Sequence, residues 1–207
     1  MSAVAARALL FALALAGCSS RDEVAPARQT SATHPAAPDG RPLRPVMLPD
    51  VSTMTESVQK QIRDRHASLL TMSEGRQAPL VLADAYGGLG MLLMAASYPD
   101  AAEPCLLNAQ TLAPDDGRWP YYLGHLYRNR GDLGSSVIAF EQVLRLRPDD
   151  VATLVWLGDL HLAEGRPDKA SPRFSKALTL QPNSLSARFG LGRTALATQD
   201  YKGAVEY

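Results

Sequence analysis

The sequence predicts an all-α protein, an α-solenoid of helix-turn-helix repeats, and three observations predict it. The dipeptide Leu-Gly recurs at Leu89-Gly90, Leu123-Gly124, Leu157-Gly158 and Leu191-Gly192, each 34 residues after the last. Prolines at Pro114, Pro148 and Pro182, small residues at Ala102, Ser136, Ala170 and Ala204, and large apolar ones at Leu106, Phe140 and Phe174 keep the same step. Within one period, Leu123, Leu126 and Tyr127 repeat at helical spacing, Gly131-Asp132 interrupts, and Val137, Phe140, Val143 and Leu144 resume the helical spacing.

The first element is a leader. Met1 to Arg7 carries one positive side chain, Ala8 to Ala16 is an apolar run, and the run ends in Leu15-Ala16-Gly17-Cys18. That order of charged start, short apolar centre and small residues is the outline of a signal peptide over residues 1–17. The run falls well short of the roughly 20 apolar residues that a spanning helix needs. Leu-Ala-Gly-Cys resembles the bacterial lipobox, which implies cleavage before Cys18 and acylation of its thiol, and thus attachment to a membrane. Several acyl chains together, at about 0.8 kcal/mol per buried methylene, make a stable anchor. Ser19 after the cysteine implies, by the sorting rule of enteric bacteria, the outer membrane facing the periplasm.

From Cys18 to Asp50 the chain has no apolar periodicity and carries Pro26, Pro35, Pro38, Pro42, Pro45 and Pro49 among Ala, Ser, Thr and charges. Such a stretch buries too little apolar surface to offset its ordering entropy, so residues 18–50 are expected to form a disordered tether. Residues 51–78 follow as one capping helix, with Thr53 and Glu56 spaced as a capping box and Val58, Ile62, Leu69 and Leu70 as a loose apolar face. A solenoid end needs such a helix because no neighbouring repeat covers it.

Residues 79–207 hold the repeats. Gly124 and Ser136 are small enough for two antiparallel helices to approach closely, Gly131 and Gly165 suit the left-handed conformation that ends a first helix, and Pro148 closes a second. Pro104 and Pro172 are expected near the first turn of their helices, where a missing N–H does least harm.

Leu-Gly-x-x-Tyr, then Gly, Ala/Ser, Phe and Pro resembles the tetratricopeptide repeat (TPR) consensus. The resemblance spans three full repeats, 83–116, 117–150 and 151–184, and a partial fourth, 185–207. Tyr86, Pro120, Leu154 and Arg188 stand in the consensus tryptophan slot, His161 and Ala195 in the tyrosine slot, and Ser97 and Gln199 in that of the turn glycine. Tyr207 falls inside the second helix of the fourth repeat, so Leu191 is expected to lack a packing partner and the natural chain to continue, or its end to fray or bind something.

The resemblance implies a protein-binding module whose concave wall comes from the first helix of each repeat. On the second repeat the stripe facing that wall is Arg118, Tyr121, His125 and Arg128, with Tyr122 and Asn129 beside it; its equivalents are Asp84 and Met91, then Val155, Trp156 and Asp159, then Phe189 and Arg193. Aromatics mixed with arginine are what interface hot spots favour. The other reading of each residue is a solvated helix face, or a ring that merely fills space between repeats. Arg118, His125, Arg128 and Arg193 against Asp84 and Asp159 tilt the wall slightly positive, which suits an extended peptide or protein with acidic or carboxyl-terminal groups. The two-carboxylate clamp of chaperone-binding TPR domains is excluded, since its Lys and Asn slots hold Gly87, Met91, Tyr122, Ala152 and Trp156.

Twenty-one basic and 21 acidic residues cancel, which removes the electrostatic footprint of a nucleic-acid binder. His34, His66, His125 and His161 show no metal-ligand spacing, and Gly87-Gly88-Leu89-Gly90 lacks the strand and the Lys-Ser/Thr of a phosphate loop. Cys105 beside Leu106 reads as a small core residue rather than a nucleophile. No cofactor and no catalytic residue is expected. The function read from the sequence is a membrane-anchored interaction scaffold or assembly adaptor of the bacterial cell envelope. The alternative is the amino-terminal recruitment module of a longer envelope enzyme or haem-protein maturation factor.

Overall fold

Each turn between helices is written in the local sequence. Gly131 and Gly165 take positive φ angles of 79° and 69° at the ends of first helices, and Ser97 and Gln199 adopt the same left-handed geometry at 65° and 61°. The residues in that slot therefore turn alike whether or not they are glycine, at a conformational cost to the two that carry a Cβ. Asp132, Asp150, Ser184 and Asp200 cap the helices that follow, their side-chain oxygens accepting the backbone N–H of Ser135, Thr153, Ala187 and Gly203. Pro79, Pro99 and Pro167 open three other helices, where the absent N–H removes nothing.

The computed structural model describes residues 40–207 except Arg76, so the leader, Cys18 and most of the tether lie outside the described residues. Among the described residues the elements are α1 (Glu56–Glu74), α2 (Pro79–Ala95), α3 (Pro99–Leu112), α4 (Arg118–Asn129), α5 (Leu133–Leu146), α6 (Val151–Ala163), α7 (Pro167–Leu180), α8 (Leu185–Ala197) and α9 (Tyr201–Glu206). Helix α1 precedes four helix pairs, α2/α3, α4/α5, α6/α7 and α8/α9. The described body is all-helical, a TPR solenoid.

The core is strung along the stack. Ile62, Leu69, Tyr86, Leu89, Leu93, Leu106 and Trp119 join α1 to α4; Phe140, Val143, Leu157 and Leu160 join α5 to α6; Phe174, Ala170 and Leu191 join α7 to α8. Within one repeat the helices meet where Ser136 Oγ donates to the Gly124 carbonyl at 2.8 Å and the Phe140 ring covers Gly124. Backbones of successive first helices approach closely, α2 with α4 and α6 with α8. The second helices reach one another through side chains, as Gln110 Nε2 does in donating to Gln142 Oε1. In such a stack the first helices form the inner wall.

Four expectations need correction. The expected disorder does not run to Asp50: residues 40–51 form an extended strap on α1 and α3, with Leu43 and Val51 buried and Val46 and Leu48 packed against the same core. Asn108, itself buried, accepts the Arg44 N–H at 2.8 Å and donates to the Arg44 carbonyl at 2.9 Å; Tyr98 Oη donates to the Asp50 carbonyl at 2.8 Å. The Thr53 capping box does not form, because the chain is still turning there, with Asp50 Oδ1 accepting the Ser52 N–H and Val51 the Met54 N–H; α1 starts at Glu56, and Leu70 faces solvent. Pro104 and Pro172 are each the sixth residue of their helix, one turn further in than expected, so each removes an internal hydrogen bond. Leu191 does have a partner, for Phe174 and Ala170 cover it from α7.

The inner wall and its relatives

Helix α4 carries the centre of the wall because its core stripe, Leu123, Gly124 and Leu126, is buried and turns the neighbouring stripe outward. Tyr121 and His125, one turn apart, lie 4.6 Å between ring centroids, edge to face. His125 stands edge-on to Phe140 of α5 and to Trp156 of α6, at 5.1 Å from each, and Tyr121 meets the same Phe140 at 5.8 Å. Four rings from three helices thus form one cluster with favourable edge-to-face geometry. The Arg128 guanidinium lies over the Trp156 ring at 4.1 Å. Burial among these rings, followed by the charge of Arg128, pushes the His125 pKa down to about 4, so the imidazole is neutral at neutral pH.

The other charges on the wall are paired. Arg118 reaches Asp84 of the preceding repeat at 2.7 Å and Asp116 of its own loop at 2.6 Å, and these carboxylates hold its proton more firmly still. Hydrogen bonding to Arg118 holds the Asp116 carboxyl below the usual range. Arg193 reaches Asp159 at 2.7 Å while lying near the Phe189 ring. The Arg118–Asp84 and Arg193–Asp159 bridges each join residues one repeat apart. The expected slight positive tilt thus comes down to one residue: Arg118 and Arg193 are paired in place and His125 is uncharged, which leaves Arg128.

The structure brings together Tyr121, His125, Arg128 and Trp156, with Arg118 and Tyr122 at their edge around a cavity of about 190 Å³ that Arg147, Asp150 and Ala152 complete. Asp159, Arg193 and Phe189 lie apart, toward α8, where Phe189 is 69% exposed. Val155 does not join the wall; it packs beside Leu154 and Leu191. Met91 and Asp84 stand exposed on α2. Trp119 was not anticipated. It is buried against Gly87, where an added Cβ would meet its ring at 2.0 Å, and Arg118 covers it at 4.5 Å. The signal was present: Gly87 stands where the later repeats have Tyr121, Val155 and Phe189, and a missing side chain invites a neighbour's.

Cys105 is fully buried on α3, and burial pushes its thiol up to about 12, which makes it inert at neutral pH. Among the described residues no three His, Cys, Asp or Glu side chains gather as a metal site, and no helix is long and apolar enough to cross a membrane.

Comparison with known proteins places the chain among helical interaction scaffolds. The Tetratricopeptide repeat profile matches residues 88–151 and 155–207, more than half of the chain, and the protein belongs to that family. TPR proteins mediate protein–protein interactions, and the fold is typically a non-catalytic scaffold. A crystal structure of MamA is 18% identical over 77% of this chain and 95% of its own, with a TM-score of 0.61. A tetratricopeptide repeat protein from Parabacteroides merdae is 16% identical over 73% of this chain and 62% of its own, with a TM-score of 0.63. The first TPR of Spaghetti (RPAP3), solved bound to the HSP90 peptide SRMEEVD, is 16% identical over 60% of this chain and 99% of its own, with a TM-score of 0.56. At these identities the likeness is one of fold. No curated protein sequence matches the chain.

Proposed function

We propose that this protein is a lipid-anchored, non-catalytic adaptor of the bacterial cell envelope, fixed to the outer membrane through Cys18 and binding a protein or extended peptide on its inner wall. The observation that carries the binding half is the Tyr121–His125–Trp156 cluster with Arg128 stacked on it. It is a half-buried, preorganised surface of the residue types that dominate interface energetics. The peptide held by the TPR domain of Spaghetti supports the same use of this fold. The anchoring half rests on Leu15-Ala16-Gly17-Cys18 at the end of an apolar run.

Two measurements test the halves separately. Cys18→Ser moves the protein from the membrane fraction to the soluble periplasmic fraction; retention in the membrane refutes the anchor. A photo-crosslinking residue placed at Tyr121 captures a discrete protein in cells while one at the exposed Arg145 of α5 does not. Equal capture from both positions, or none from Tyr121, refutes the inner-wall site.

A further inference from the structure

The wall is not uniformly suited to a ligand. Its arginines divide into those that already hold a carboxylate and one that does not. Arg118 is held by Asp84 and Asp116, Arg193 by Asp159, and Arg147 by Asp150 at 3.6 Å. Arg128, its guanidinium 4.1 Å from the centre of the Trp156 ring, has no carboxylate partner in the described wall, and it retains N–H donors for an incoming one. A ligand carboxylate at Arg118 or Arg193 would have to displace an existing one; at Arg128 it displaces only water.

The second feature is the cavity lined by Tyr121, Tyr122, Ala152, Arg118 and the Arg147–Asp150 pair. Two tyrosine rings beside two arginines suit one aromatic side chain, which can pack against the rings and lie near the guanidinium groups, and both arginines already hold a carboxylate. Tyr121 and Arg128 are seven residues apart on α4, about 10 Å along the helix axis at 1.5 Å per residue. A chain in the polyproline II conformation covers that distance in about three residues, at about 3.1 Å each, and with three residues per turn it presents the first and the fourth side chain to the same wall.

We propose that the inner wall recognises an extended segment by one aromatic side chain seated beside Tyr121 and Tyr122 and a single carboxylate three residues away on Arg128, and that it does not select for segments rich in acidic groups. This rests on the inner wall being the binding face. The ligand differs in kind from one that needs two converging carboxylates, because among the described residues of the wall Arg118 and Arg193 are already paired and Arg128 stands alone. The neutral His125 lies between the two subsites and suits an uncharged residue there.

Fluorescence anisotropy on the full chain tests it with labelled ten-residue peptides on a Gly/Ser background. One carries Phe and Asp three apart, in either order; others carry the Phe alone, the Asp alone, or six Asp residues. The better ordering of Phe and Asp binds about fivefold more tightly than Phe alone, the scale of one partly exposed ion pair. Arg128→Gln abolishes that ratio without lowering affinity for the Phe peptide. Tyr121→Ala weakens both by the same factor and leaves the ratio standing, and Arg118→Gln leaves the ratio unchanged. The inference is overturned if the six-Asp peptide binds as tightly as the Phe–Asp one, if the ratio persists in Arg128→Gln, or if no peptide binds at millimolar concentration. In the last case the Tyr121 crosslink separates the two ideas: an adduct in cells leaves the inner-wall reading standing and rejects only this ligand, whereas its absence rejects both.

Discussion

Asn108→Ala should unlatch the strap without unfolding the solenoid. The amide of Asn108 makes both of its observed bonds to the main chain of Arg44, 64 residues away, and thereby holds Leu43 in the core between α1 and α3. Each neutral hydrogen bond contributes about 1 kcal/mol net, so alanine forfeits about 2 kcal/mol. The Arg44 N–H and carbonyl would then lose these partners, and water replaces them as the strap lifts. Helices α2 and α3 keep their own core through Leu89, Leu93 and Leu106, so the opening is local.

Hydrogen exchange reads the effect directly. The Arg44 amide should exchange about 30-fold faster in the variant, from about 2 kcal/mol at 1.4 kcal/mol per tenfold. Amides in the middle of α5 and α6, beyond the strap's reach, should keep their rates. Asn108→Asp separates the two bonds, since the carboxylate still accepts the Arg44 N–H but donates nothing to its carbonyl, so the acceleration should be smaller. An Arg44 amide as protected in Asn108→Ala as in the wild type would refute the latch, and uniform acceleration along the chain would refute its locality.

Three other outcomes follow. Gly87→Ala drives a methyl into the Trp119 ring and should cost about 1–3 kcal/mol in denaturant unfolding, whereas adding Trp119→Phe, a smaller ring that also removes an indole Nε1–H with no partner, should recover part of that loss. Cys105 should resist thiol reagents in the native state and react only on opening, so its labelling rate in denaturant should track unfolding; rapid labelling in buffer would contradict its burial. His125 is held neutral with its pKa lowered to about 4, while the unfolded chain protonates near 6.5, so its contribution to stability is present above pH 6.5 and lost as pH falls toward 4. Allowing for the solvent that reaches the ring, the loss is about 1–2 kcal/mol; His125→Phe should flatten the stability profile over that window, and an unchanged slope would refute the assignment.

The solenoid was legible because its signal is redundant. Leu-Gly, Phe140 with Phe174, and the three prolines mark the same period independently, and each marks a local steric need. The strap was not, because Leu43, Val46, Leu48 and Val51 sit among prolines and charges with no period of their own, and their apolar partners lie on α1 and α3. Composition measures what a segment can bury by itself, not what a neighbouring groove can bury for it. The wall was half legible. Its residues were found and their charges summed, but which cation the pairing leaves over was not read, although Asp84 with Arg118 and Asp159 with Arg193 are each spaced by the repeat length of 34 that defines the fold. In a stacked array that spacing places two first-helix side chains side by side, so opposite charges one period apart neutralise each other rather than a ligand.

The same stacking concentrates binding on one pair of repeats. At α2 the wall position is Gly87, and Trp119 fills its place from within, so the first repeat offers the exposed Met91 and a paired Asp84. At α8 the equivalent Phe189 is exposed and touched by Arg193, but no ring of a neighbouring helix meets it. Among the described residues it is between α4 and α6 that wall rings rest on a buried core ring, Phe140, which fixes Tyr121 and His125 at once. A ligand landing there loses little further side-chain freedom, whereas one landing on Phe189 must first order it. Crosslinkers at Tyr121 and Phe189 should therefore differ: the first captures one discrete species, the second captures less or nothing, and equal yield of the same partner from both would mean that core support of the wall does not set where the ligand binds.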